Sequence, residues 1–284
     1  MDDLANKTAV ITGAASGIGL GLAVRFGQAG MNVVLADIEE PALAEAVAAV
    51  EATGATALGR RVDVRHIDEV EALLAAAIER FGRVHLVCNN AGIAGPFGKT
   101  SWELSAQDWE WVIGVDLWGV INGVRVFTPH LVAHGDGHIV NTASLAGLTT
   151  GTVVPASYHT AKHGVVALSE CLFGELAQRA PGVGVTVLCP GFVKTRINEN
   201  SRNRPEDLAP SPFETESPRS VEVRNAMAEM TLTGLEPAQV ADLVHDAVRS
   251  RQFYIHTDPA AMPFIRARHL AIETTTDPPA GELG

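Results

Sequence analysis

The sequence predicts an α/β fold, a doubly wound parallel seven-stranded sheet with helices on both faces, in a single domain. Three observations predict it. Short apolar, β-rich runs alternate with helical patterns along most of the 284 residues. Several of those runs are continuously hydrophobic, as strands covered on both faces require. The first run passes straight into a glycine-rich turn, Thr12–Gly19, that opens a helix. Strict alternation of strand and helix implies right-handed crossovers between parallel neighbours.

Taken in order, the strands are expected at Thr8–Thr12, Asn32–Asp37, Ala55–Val62, Val84–Cys88, His138–Thr142, Val183–Cys189 and Phe253–His256. The helices between them are expected at Gly17–Ala29, Pro41–Thr53, Ile67–Phe81, Ala106–Ala133, Ala156–Ala180 and Pro237–Ser250. Pro41 and Pro237 stand where a helix starts, and Ser105 suits an N-cap. Two segments break the rhythm. Residues 194–220 hold Pro205, Pro210, Pro212 and Pro218 among polar residues, which reads as a long loop or mobile lid over 194–225. Residues 1–257 are read as the catalytic domain. Residues 258–284 are read as a partly disordered tail with one helix-like piece, Phe264–Ile272, and its last ten or so residues are expected to be poorly ordered. No internal repeat and no second domain is visible.

Composition narrows the function. Apolar residues make up 46% and charged residues 19%, and the formal net charge is −12. Such a chain repels polyanions, so nucleic acid is an unlikely partner. No apolar run reaches the roughly 18 residues of a membrane span. The N-terminus, Met1-Asp2-Asp3-Leu4, carries no signal-peptide pattern. Cys88, Cys171 and Cys189 sit in apolar runs without C-x-x-C spacing and read as reduced core thiols. The chain is expected to be cytoplasmic.

The glycine turn has the makings of a dinucleotide phosphate site, because a helix N-terminus attracts anions. Gly13 permits a sharp turn, while Gly17 and Gly19, beside Ser16 and Ile18, let backbone approach a pyrophosphate. Such turns also join strands to helices in many proteins. Asp37, ending the second strand beside Ile38, strengthens the case: a carboxylate there accepts from ribose hydroxyls and repels a 2′-phosphate, favouring NAD over NADP. Arg60 and Arg61 nearby complicate that choice, and Asp37 could instead cap a turn. Asp63 and Val64 suit an adenine edge. Asn89, Asn90, Ala91 and Gly92 suit the ribose–nicotinamide cleft or, equally, a turn with local side-chain bonds.

Tyr158 and Lys162 lie four residues apart, so on a helix they share a face, and Ser144 precedes the tyrosine by fourteen residues. A phenol beside a fixed ammonium is easier to deprotonate, which makes the pair a proton-transfer device. With the glycine turn, these residues point to hydride transfer. His159 and His163 read as helix-surface residues. Trp102, Trp109, Trp111 and Trp118 read mainly as core or subunit contacts. No metal-ligand spacing occurs among the histidines.

With these motifs in this order, the chain resembles the short-chain dehydrogenase/reductase superfamily in its single-domain, Rossmann-type form. The resemblance rests on Thr12–Gly19, Asp63, Asn89–Gly92, Ser144, Tyr158-x-x-x-Lys162 and Pro190-Gly191-x-Val193-x-Thr195, and covers about residues 5–256. It implies that Tyr158 is the acid/base and that Ser144 orients the substrate oxygen. It further implies that Lys162 holds the nicotinamide ribose and lowers the tyrosine pKa, while Pro190, Gly191, Val193 and Thr195 close over the nicotinamide. It also implies a homotetramer or homodimer built through the two long central helices. One position departs: the family usually has asparagine where this chain has Asp116. The asparagine acts in a proton relay largely through its main-chain carbonyl, so the relay is expected to survive with a shifted pH optimum.

The positions expected to face substrate, Ile93, Ala94, Ala146, Val154 and Phe192, are apolar, and no arginine is placed to clamp a carboxylate. The expected activity is that of an NAD-dependent alcohol dehydrogenase or ketone reductase acting on a hydrophobic secondary alcohol or ketone. The alternatives are an NADP-dependent ketoreductase and, from a different class, a non-catalytic dinucleotide-binding regulatory protein.

Overall fold

The computed structural model describes residues 3–210 and 216–279. Seven parallel strands form one sheet: β1 (Thr8–Thr12), β2 (Asn32–Asp37), β3 (Ala57–Arg61), β4 (Leu86–Asn89), β5 (Gly137–Thr142), β6 (Val183–Cys189) and β7 (Tyr254–His256). Their order is β3-β2-β1-β4-β5-β6-β7. The chain turns outward in opposite directions from β1 and β4, so a crevice opens at their carboxyl ends.

Because side chains alternate across a strand, β1 and β2 feed two cores at once. Ile11, Val33 and Leu35 pack under helices α1 (Gly17–Gln28) and α8 (Pro237–Ser250). Val10 and Val34 pack on the other face with α3 (Ile67–Phe81), α5 (Gly119–His134) and α6 (Ala156–Arg179). Helix α2 (Glu40–Glu51) joins the first layer through Leu43, Ala46 and Val50. Two of the polar exceptions inside the sheet reach a neighbouring strand, while the Thr8 hydroxyl is buried without a hydrogen bond. His138 meets the Thr186 hydroxyl at 2.7 Å, and Asn89 donates to Asn141 at 2.8 Å.

Most element boundaries match the expectation from periodicity, and four features differ. The helix expected over Ala106–Ala133 is two helices, α4 (Ala106–Ile113) and α5, joined by a π turn at Gly114–Trp118. Hydrophobic spacing does not report a single wide turn, which inserts one residue without breaking helicity. The segment expected as one loop holds 3-10 turns at Ile197–Asn203 and Glu206–Leu208 and then a helix, α7 (Pro218–Leu232). Pro218 stands at the first turn of that helix and the Ser217 side chain accepts from the Ser220 amide, so the proline marks a start rather than a break. Pro212, with the rest of 211–215, lies outside the described residues. The tail carries α9 (Met262–Glu273), two residues longer at its N-terminus than expected; 280–284 lie outside the described residues. Finally, Cys88 and Cys189 are buried as expected, whereas Cys171 is exposed on α6. The apolar run there belongs to the expected helix, and Cys171 lies on its solvent face.

Phe26, on α1, is fully buried between the sheet and α8. Phe26→Ala is expected to cost about 3–5 kcal/mol of stability through lost burial and a residual cavity, read as a lower denaturation midpoint at unchanged slope.

Candidate active site

The crevice at the sheet's carboxyl edge is organised by Thr12. Its hydroxyl donates to the Cys88 carbonyl at 3.4 Å and accepts from the amides of Asn90 at 2.9 Å and Ala91 at 3.1 Å. The Asn90 amide nitrogen returns a bond to the Thr12 carbonyl at 3.0 Å, and Thr142 donates to its oxygen at 3.2 Å. Asn90 is therefore a strut between the ends of β1, β4 and β5. Gly13 turns the chain at φ +65°, and a Cβ there would stand 2.8 Å from the Ala91 Cα. No side chain caps the N-terminus of α1 that this turn creates, so its first-turn amides are free to meet an anion.

Of the residues expected to touch a coenzyme, all but three line one cleft over that turn: Gly191 and Val193 line the adjoining cavity, and Asn89 is buried and bonded to Asn141. Asp37 closes the far end of the cleft. Its carboxylate accepts from the Ala15 amide at 2.9 Å and the Glu39 amide at 3.1 Å. Burial raises its pKa above the usual carboxylate value, and the backbone amides counter that only in part. Asp63 also lines the cleft, but its Oδ2 accepts from both Nε and Nη2 of Arg65, at 3.0 and 2.7 Å. Burial alone would raise the Asp63 pKa, and Arg65 outweighs it, so the group is held low. An uncapped helix N-terminus, a glycine turn and a carboxylate at the second strand's end fit the phosphate and ribose of a dinucleotide.

At the near end sit the three residues singled out by spacing. Tyr158 and Lys162 lie on the first turns of α6, and Ser144 follows β5, its oxygen accepting from the Ala146 amide at 3.1 Å. Lys162 is 2% exposed; its Nζ donates to the Thr142 carbonyl at 3.2 Å and lies 5.4 Å from the centre of the Tyr158 ring. Asp116, carried by the π turn, is fully buried behind it. One carboxylate oxygen accepts from the Ile93 amide at 2.8 Å; the other makes no hydrogen bond and stands 3.7 Å from Lys162 Nζ. Burial raises the Asp116 pKa to about 6, against the opposing pull of Lys162 and the Ile93 amide.

The same groups correct the simple expectation for the phenol. Burial pushes the Tyr158 pKa up, the Asp116 charge pushes it further, and a hydrogen bond with Ser144 opposes both. The cation is present, but its charge is shared with a carboxylate, so this protein's phenol resists ionisation before any ligand arrives.

A second cavity of about 390 Å³ meets the cleft at Tyr158. Of the positions expected to face substrate, Ala94, Ala146, Val154 and Phe192 line this cavity, while Ile93 lines the cleft over the glycine turn. Sequence reasoning missed much of its wall: Phe97, Val153, Met227 of α7, and Ala260, Ala261 and Phe264 from the segment read as a tail. The helix-like spacing of Phe264–Ile272 was the available signal. Trp111 lines the cleft over the glycine turn, Trp102 is 84% exposed, and Trp118 is half-exposed, so the tryptophans form no common core. His159 and His163 are half-buried rather than at the surface: the Nδ1 atoms lie 2.8 and 2.9 Å from the carbonyls of Ala146 and His159. His159 also lines the apolar cavity.

Comparison with known proteins agrees with this geometry. The family model for short chain dehydrogenases matches residues 7–206. A short-chain dehydrogenase/reductase from Burkholderia phymatum, crystallised with NAD, is 41% identical, with a TM-score of 0.95 over the whole of both chains. The 1-deoxy-11-beta-hydroxypentalenate dehydrogenase of Streptomyces exfoliatus is 34% identical over 91% of this chain and 85% of its own. An actinorhodin polyketide ketoreductase variant, crystallised with NADPH, is 30% identical, with a TM-score of 0.73 over 90% of this chain and 97% of its own. The chain belongs to the short-chain dehydrogenase/reductase family and is an oxidoreductase of that family. Among the described residues no helix is long and apolar enough to cross a membrane.

The buried Asp116 carries a measurable signature. Its folded pKa lies above the unfolded value, so its protonated form is favoured in the native state, and stability falls as pH rises from about 4 through about 6. Asp116→Asn cannot titrate. Its stability relative to the natural protein is expected to rise by roughly 1–3 kcal/mol across that window and to stay level above it, as measured by denaturant melts at several pH values. Substantial turnover should remain.

Proposed function

We propose that the protein is an NAD-dependent alcohol dehydrogenase or ketone reductase that moves a hydride between NAD(H) and a hydrophobic secondary alcohol or its ketone. The observation that carries this reading is the meeting of two unlike cavities at one tyrosine. The cleft with the glycine turn and Lys162 lies on one side of Tyr158, and the apolar cavity with Ser144 lies on the other. A carbinol in the apolar cavity would present its oxygen to both hydroxyls.

NAD, when bound, supplies the hydride acceptor. In the oxidation direction the carbinol C–H leaves as hydride and its O–H proton passes to the ionised Tyr158 oxygen. Ser144 holds the substrate oxygen in line, and Lys162 holds the nicotinamide ribose and keeps a positive charge near the phenolate. Reduction runs the same proton the other way. The relay continues from Lys162 toward the main chain at Asp116.

NAD is favoured over NADP by the Asp37 carboxylate and by the state of the cations nearby. Arg202 is paired with Glu39 at 2.7 Å and Arg196 with Glu199 at 2.8 Å, so a 2′-phosphate would have to displace a carboxylate from either cation. The NADPH-bound relative gives the alternative, an NADP-dependent ketoreductase. We place the protein in the cytoplasm and, by resemblance, as a homotetramer or homodimer, with α4–α5 and α6 at the subunit contact.

The deciding experiment pairs Tyr158→Phe with coenzyme binding. Turnover of a panel of aryl, alicyclic and steroidal secondary alcohols is expected to fall about a thousandfold, with NADH still bound. Unchanged turnover would refute the acid/base role. Activity confined to sugars and short hydroxy acids would refute the substrate class, and a higher kcat/KM with NADP than with NAD would refute the coenzyme.

A further inference from the structure

Three consecutive residues at the end of the Ile197–Asn203 turn reach two carboxylates, Glu39, which lines the coenzyme cleft, and Asp108, which is buried on α4 outside it. Arg202 donates to Glu39 Oε1 through Nε at 3.1 Å and Nη2 at 2.7 Å, and Asn203 Nδ2 donates to the same oxygen at 2.8 Å. Glu39 follows β2, two residues beyond Asp37. On the other side, Arg204 Nη1 donates to Asp108 Oδ1 at 2.7 Å, and its guanidinium stacks 5.0 Å from the centre of the Trp111 ring. Asp108 belongs to α4, beyond the switch point between β1 and β4. Arg202 and Asn203 line the same cleft as Gly17, Asp37 and Asp63. The chain therefore borders that cleft at Arg202 and Asn203 and is tied down on both sides, at Glu39 within the cleft and at Asp108 beyond it.

We propose that residues 202–204 form a strap closed over the adenosine half of the coenzyme cleft, hinged at Asp108 and released at Glu39, so that the strap gates coenzyme exit. This inference rests on the reading of the cleft as a dinucleotide site.

The two anchors differ in a way that assigns hinge and latch. The Asp108 side chain has no exposed surface, pairs with Lys99 at 2.9 Å as well as with Arg204, and caps α4 through Ser105. Parting Arg204 from it would disturb a buried charge network, which is costly. The Glu39 end is open to solvent: the Arg202 and Glu39 side chains are 27% and 22% exposed. Water and salt can replace that contact at small cost. Arg202 also donates to the Glu199 carbonyl at 2.8 Å, which keeps the turn folded as it lifts. The charge on Glu39 is favoured there. Burial alone would raise its pKa, but Arg202 and Asn203 more than offset that and hold it low.

Stopped-flow fluorescence of NADH release, chased with excess NAD, tests the strap without turnover. NADPH replaces NADH if it binds more tightly. Glu39→Ala and Arg202→Ala are each expected to speed release about tenfold. The double variant should add little to either single change, because all three remove one contact. Release from the natural protein should accelerate with ionic strength, and that dependence should flatten in the variants. Melting temperatures of the coenzyme-free proteins check that the fold is intact. Release rates unchanged in both single variants would overturn the strap, as would independent, additive effects in the double. If the natural protein binds neither NADH nor NADPH, the dinucleotide reading falls and the strap with it. Tight binding with release indifferent to Glu39 and Arg202 removes the strap alone.

Discussion

Everything at the sheet's carboxyl edge depends on the hydroxyl of Thr12. Parallel strands β1 and β4 are neighbours whose following helices depart to opposite faces, so nothing covers the gap between their ends. One hydroxyl spans that gap, accepting two amides from the β4 side while donating to a third backbone group. The glycine turn is thereby held against Ala91 at van der Waals distance, and the amides of α1 face outward. Without the tie, the turn and the Asn90–Gly92 segment would be two independent loops, and the cleft would have no fixed floor.

How much of this was legible in the sequence varies with the range of the interaction. β1, β2 and β6 and helices α3 and α8 match to the residue, because their hydrophobic period and their caps lie inside the element itself. Most positions expected to meet a coenzyme line one cleft, because most of them follow strand ends, where this topology gathers them, and the start of α6 brings Tyr158 and Lys162 to the same place. The π turn was not legible, because one extra residue per turn leaves the apolar spacing of α4 and α5 intact. Helix α7 was hidden behind prolines and polar residues that resemble loop chemistry; its cap, Ser217-Pro218, was the overlooked sign. The walls supplied by Met227 and Phe264 depend on how distant segments fold over the sheet, and no local pattern encodes that.

The cleft over the glycine turn and the apolar cavity differ in kind, and the difference follows from where each segment comes from. The cleft is built by strand ends and the turns just after them, which are rich in polar backbone and fixed by the sheet. The apolar cavity is built largely by segments that leave the sheet: the Thr149–Val154 loop, α7 and the start of α9. A change of side chain there alters the cavity without disturbing the phosphate turn. That separation lets one family scaffold serve relatives as different as a hydroxypentalenate dehydrogenase and a polyketide ketoreductase.

Asp116 is the point at which this chain departs most from its resemblance, and its surroundings say what the departure does. An asparagine would accept the Ile93 amide equally well and leave Lys162 as an unopposed cation. Aspartate instead places a carboxylate oxygen with no hydrogen-bond donor 3.7 Å from the ammonium. Two buried charges of opposite sign nearly cancel at a distance, so the field that Lys162 exerts on the Tyr158 phenol is weakened. Below about pH 6 the carboxylate takes a proton and that field returns. On the proposed function, ionising the tyrosine at neutral pH then depends more heavily on the positive charge of the oxidised nicotinamide. The phenol would stay protonated in the free protein and become a base when the coenzyme is in place, which ties proton abstraction to the presence of a hydride acceptor.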